Sequence, residues 1–96
     1  MVRTINLTDE AQGQYYQIER SNPKKLKKVQ KTLGLMETDI RHPGHQTHEY
    51  SSLTGPNGEK VFEAYVENRT PGAYRVFWYY GPGSAEITIL SITSHP

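Results

Sequence analysis

Ala73-Tyr74-Arg75-Val76-Phe77-Trp78-Tyr79-Tyr80, then Gly81-Pro82-Gly83-Ser84, then the apolar run from Glu86 to Ile92, is the stretch that decides the fold. Both runs are rich in aromatic and β-branched residues and read as strands. A tight turn over Gly81-Pro82-Gly83-Ser84 separates them, so they pair antiparallel. Alternation puts Tyr74, Val76, Trp78 and Tyr80 on one face and Arg75, Phe77 and Tyr79 on the other. The first set is the better core face. The second forms a surface with one cation and two aromatics, suited to stacking bases and holding phosphate. A guanidinium buried in such a row is costly unless something anionic meets it.

Working outward, Val61 to Glu67 alternates as a third strand, with Phe62, Ala64 and Val66 on one face and Glu63, Tyr65 and Glu67 on the other. It is bounded by two turns, Gly55-Pro56-Asn57-Gly58 and Asn68-Arg69-Thr70-Pro71-Gly72. Residues 37–55 lack clear periodicity and read as an ordered loop with a short strand at Glu49–Leu53. At the other end, Arg3 to Leu7 alternates around Ile5 as a short strand. Thr8 or Asp9 caps a helix running to Arg20, in which Ala11, Tyr15 and Ile18 recur at helical spacing. Ser21-Asn22-Pro23 stops this helix and starts another, whose stripe is Leu26, Val29 and Leu33, with lysines on its other faces. Gly34 is placed to end it. Helices grouped ahead of hairpin-linked strands predict an α+β fold. An N-terminal strand and a two-helix hairpin pack on an antiparallel C-terminal sheet.

The 96 residues suffice for a single domain spanning 1–96 with one modest core. Hydrophobic residues are only 34%, but the 10% aromatic share compensates by burying large areas. The absence of cysteine excludes a disulfide framework and thiolate metal sites. No apolar run approaches the roughly 18 residues of a membrane span, and the first residues carry no signal-peptide core, so a cytoplasmic protein without membrane contact is expected. Net charge is only +1, yet Arg20, Lys24, Lys25, Lys27, Lys28 and Lys31 form a basic run without an acid. That run reads equally as a solvated helix face or as a stripe tracking phosphates.

The candidate chemistry lies in histidine and arginine. His42, His45 and His48 are spaced three apart, but Pro43 and Gly44 interrupt helical presentation, and the trio reads as surface residues rather than a metal site. Arg75 has two readings: an arginine paired with Glu63 or Glu67 across the sheet, or a bidentate phosphate clamp. His95 is either a frayed terminal residue or a general acid or base.

The layout resembles the RelE/ParE toxin superfamily, and within it the RelE-like messenger-RNA endoribonucleases. The resemblance is carried by residues 73–80, by Ile87-Thr88-Ile89-Leu90-Ser91-Ile92 as the apolar last strand, by His95 after it, and by Ser52-Leu53-Thr54-Gly55 ahead of the third strand. It implies cleavage without metal or other cofactor. The substrate's 2′-hydroxyl attacks the adjacent phosphorus and leaves a 2′,3′-cyclic phosphate. It assigns Arg75 to phosphate stabilisation, His95 to terminal proton transfer, and His48 or Glu49 to the second proton-transfer role. Lys60, Tyr50, Phe77 and Tyr79 become RNA contacts. The implied partners are a cognate antitoxin and messenger RNA on the ribosome. Two rivals keep the fold without catalysis: a gyrase-targeting ParE-like toxin, against which His95 argues, and a module that binds RNA or protein.

Overall fold

The computed structural model describes residues 2–41, 47–67 and 72–94. Their elements are β1 (Thr4–Leu7), α1 (Asp9–Ser21), α2 (Pro23–Thr38), β2 (His48–Thr54), β3 (Lys60–Tyr65), β4 (Tyr74–Tyr80) and β5 (Glu86–Ser94). The strands form one sheet in the order β1-β5-β4-β3-β2. All pairings are antiparallel except that of β1, which lies parallel to β5. This is the expected α+β architecture. The parallel pairing is an addition to it: parallel neighbours need a long crossover, and the helical hairpin begins that path.

The helices cover one sheet face. Ala11, Ile18, Val29 and Met36 pack with Ala64, Val76, Trp78, Ile87, Ile89 and Ile92. The ladder sets Trp78 between Phe62 and Ile89, and Val76 between Ala64 and Ile92. The Trp78 ring stacks on Phe62 with centroids 5.0 Å apart. Tyr80 shares this face but stays exposed, with the Arg3 guanidinium 5.3 Å from its ring centre.

A bulge lets β5 serve both faces. Phe77 lies opposite Ser91 and Trp78 opposite Ile89, which leaves Leu90 as the extra residue. Strict alternation would send Ile92 to the face opposite Ile87 and Ile89. The extra residue resets the phase, so all three isoleucines are buried in one core while Ser91 and Thr93 turn the other way. The bulge is anchored by the start of α1. The Thr8 hydroxyl donates to the Leu90 carbonyl at 2.9 Å and accepts from the Ala11 N–H at 3.1 Å. Gln14 Oε1 accepts from the Ile92 N–H at 2.6 Å. Where β1 stops at Leu7, helix side chains thus take over the backbone groups of the β5 edge.

Asn22 ends α1 and caps α2 through the Lys25 N–H, as expected, with Pro23 opening the second helix. Gly34 does not end it. The helix continues to Thr38, because Met36 extends the Leu26-Val29-Leu33 stripe and is fully buried. Burying such a side chain contributes about 1.5–3 kcal/mol, whereas one glycine in a helix interior costs about 1 kcal/mol. The unpatterned segment also holds a longer strand than expected, His48–Thr54. No helix among the described residues is long and apolar enough to cross a membrane.

The basic run is divided. Lys25 and Lys28 reach Glu67, each at 3.1 Å, and clamp α2 to the sheet end. The Lys25 ammonium also lies 4.3 Å from the Tyr74 ring centre. Burial acts to raise the Glu67 carboxyl pKa, but Lys25, Lys28 and the Tyr74 N–H outweigh it and hold it below the ordinary 4.5. A carboxyl that titrates lower when folded adds stability that is complete above its unfolded value. That stability is lost as pH falls through the folded value. Glu67→Gln is therefore expected to destabilise the chain by about 1.5–3 kcal/mol at neutral pH, the range for hydrogen bonds to a charged group. In urea titrations the difference should shrink as pH falls below 4.5; a pH-independent difference would contradict the clamp.

A second expectation concerns Gly34, where an added Cβ meets nothing within 4 Å. Gly34→Ala should raise stability by about 0.5–1 kcal/mol, visible as a higher urea midpoint with an unchanged slope.

Candidate active site on the sheet face opposite the helices

The register decides which residues share this face. Glu63 lies opposite Phe77 and His48, Tyr65 opposite Arg75, Phe77 opposite Ser91, and Arg75 opposite Thr93. His48, Glu63, Tyr65, Arg75, Phe77, Ser91 and Thr93 therefore stand together, drawn from four strands. Glu49 lies opposite Phe62 and so belongs to the other face. Alternation along β3 places Lys60 with Phe62 as well. Of the two candidates for the second proton-transfer role, only His48 is brought beside Arg75.

At the centre is Glu63, 1% exposed. Its Oε1 lies 2.7 Å from His48 Nε2, and its Oε2 lies 3.9 Å from Arg75 Nε. His48 is half exposed at the rim, with its ring edge-on to Tyr65 at 5.9 Å. Arg75 is 9% exposed and lies over Tyr65, its guanidinium carbon 3.8 Å from the ring centre. Its Nη1 donates to the carbonyls of Glu67 at 2.9 Å and Tyr74 at 3.2 Å. Of the two sequence readings of Arg75, the structure shows the first: it is paired with Glu63 across the sheet.

Beside this cluster a groove of about 520 Å³ is lined by Tyr50, Ser52, Leu53, Phe77, Ser91, Thr93 and Ser94. Tyr50 packs edge-on against Phe77 at 5.0 Å. Phe77 is buried beneath it, and Tyr79 is buried further along the strand, outside the groove lining. The groove therefore combines aromatic rings with hydroxyls, a surface on which a planar group can stack and hydrogen-bond. His95 follows Ser94 in the chain and lies outside the described residues, as do His42 and His45. Among the described residues no cluster has the makings of a metal site.

Sequence reasoning did not single out Glu63 as a site residue. The signal was present: an acid on a strand, on the same side as Arg75, with an aromatic row as its neighbour. Ser91 and Thr93 were hidden by the bulge, which alternation alone does not reveal.

No protein-family sequence model matches the chain, and no curated protein matches it by sequence. Solved structures do match. A YoeB dimer from Staphylococcus aureus superposes with a TM-score of 0.72 at 13% identity, covering 100% of both chains. A YoeB/ParE toxin from Agrobacterium tumefaciens reaches 0.73 at 9% identity, over 97% of this chain and 99% of its own. An archaeal RelE, solved as a RelE–RelB complex from Pyrococcus horikoshii OT3, reaches 0.67 at 14% identity, over 98% and 96%. The described residues share the fold of these YoeB and RelE toxins.

Proposed function

We propose that the chain is a RelE-like toxin that cleaves messenger RNA without metal and so inhibits translation. One observation carries the reading: an exposed imidazole and a guanidinium share a buried carboxylate beside an aromatic, hydroxyl-lined groove. Cleavage by the 2′-hydroxyl needs a base for its proton, a cation for the phosphorane, and an acid for the departing 5′-oxygen. His48 takes the 2′-proton as the oxygen bonds to phosphorus. Arg75 stabilises the added negative charge. His95 protonates the 5′-oxygen as its bond to phosphorus breaks. Tyr50 and Phe77 seat a base next to the scissile phosphate, and Tyr79 supports them from within the sheet.

The S. aureus YoeB and P. horikoshii RelE structures were solved with YefM and RelB. By that likeness the partner of this chain is a small cognate antitoxin. The ribosome-bound messenger is the expected substrate, and the exposed Lys24, Lys27 and Lys31 suit contact with RNA phosphates.

A binding module without catalysis is the second reading. It is favoured by the commitment of Arg75 to the Glu67 and Tyr74 carbonyls. Cleavage assays separate the two. Arg75→Ala and His95→Ala should each lower RNA cleavage at least about 100-fold and relieve growth arrest in producing cells. Circular dichroism should show that both variants are folded. Full toxicity in both variants would contradict the site, and intact RNA with measurable binding by the wild type would favour the module.

A further inference from the structure

We propose that the groove is an uncharged nucleobase pocket and that the Ser91 hydroxyl reads the edge of the base it takes; that the base belongs to RNA rests on the ribonuclease reading above. Thr32, Thr88 and Ser91 are the buried hydroxyl residues among those described. The Thr32 hydroxyl donates to the Lys28 carbonyl at 3.0 Å, and that of Thr88 to the Gly81 carbonyl at 2.9 Å. Ser91 differs. It is 7% exposed and lines the groove, yet among the described residues nothing hydrogen-bonds its hydroxyl. Buried polar groups are nearly always hydrogen-bonded, so an open one in a groove wall marks where the polar edge of a ligand fits.

The bulge at Leu90 puts Ser91 there. Strict alternation would send it to the face of Ile87 and Ile89, but it stands opposite Phe77 instead. Directly opposed residues of an antiparallel pair are close neighbours on one face, so the hydroxyl and the aromatic ring stand side by side. Among the described residues, no side chain of the lining carries a charge. Such walls give a phosphate no counter-charge, and a purely apolar guest would leave the hydroxyl unpaired. A nucleobase meets both conditions: its face packs on Tyr50 and Leu53, and its edge reaches Ser91. A hydroxyl donates and accepts, so it serves an edge group of either kind. The volume of about 520 Å³ lies within the range of small-ligand sites.

The test titrates the full 15N-labelled chain with adenosine and with cytidine. At least one should shift the Phe77 and Ser91 amide signals. Its Kd should change less than about twofold between low and high salt, because no phosphate is held. Ribose 5-phosphate should leave those signals in place. Phenyl riboside, with a benzene ring in place of the base, should bind about 2- to 10-fold more weakly, the worth of one hydrogen bond. Ser91→Ala, folded by circular dichroism, should weaken nucleoside binding by the same factor.

The pocket is overturned if neither nucleoside shifts these signals up to its solubility, if ribose 5-phosphate shifts them too, or if affinity falls steeply with salt. Phenyl riboside binding as tightly as the nucleosides overturns the role of Ser91 and indicates an apolar protein side chain as the occupant. An unchanged Kd in Ser91→Ala also overturns that role. Should Ser91→Ala not fold, the phenyl riboside comparison decides on the wild type alone. If the nucleoside results hold while RNA stays intact, the pocket stands and the ribonuclease reading falls. If RNA is cleaved and no nucleoside binds, the pocket falls and the ribonuclease reading stands.

Discussion

A buried carboxylate organises the sheet face opposite the helices. Glu63 sits on β3 with almost no solvent access, and an isolated charge in that position costs several kcal/mol. The flanking strands answer it with His48 on β2 and Arg75 on β4. Tyr65 supports both partners, and the Glu67 carbonyl holds the far side of the guanidinium. The two groups best suited to phosphate chemistry are thus placed by one electrostatic requirement.

The rest of the fold keeps that face open by gathering the apolar surface onto the other. Trp78, Phe62 and three isoleucines meet the helices, and the Leu90 bulge is what allows β5 to bury Ile92 there. The same bulge turns Ser91 and Thr93 toward the groove. Thr8 and Gln14 on the helical side anchor the bulge. Helix docking and groove chemistry are therefore linked through a single backbone irregularity. Glu67 fastens the second helix at the opposite end of the sheet, using two lysines of a run that otherwise faces solvent.

Much of this was legible in the residues. The alternation around Arg75, the Asn22-Pro23 restart and the helical stripes predicted the elements and both sheet faces, because each rests on local periodicity. Three features were not legible. The parallel seat of β1 depends on the crossover path, which no local pattern encodes. The end of α2 depends on burial of Met36, a tertiary gain larger than the local cost of Gly34. The bulge depends on hydrogen bonds between residues about eighty positions apart in sequence, such as Thr8 and Leu90. At the site, strand phase separated His48 from Glu49 only once the β2–β3 register was known.

In the proposed reaction an imidazole and a guanidinium, both beside one buried carboxylate, drive attack by the substrate's own 2′-hydroxyl. The ends of the RNA products record that chemistry directly. Mass spectrometry of fragments produced by the wild-type chain in excess chelator should find a 2′,3′-cyclic phosphate on the upstream piece and a 5′-hydroxyl on the downstream piece. A 5′-phosphate with a 3′-hydroxyl, or RNA left intact by folded protein on programmed ribosomes, would contradict it.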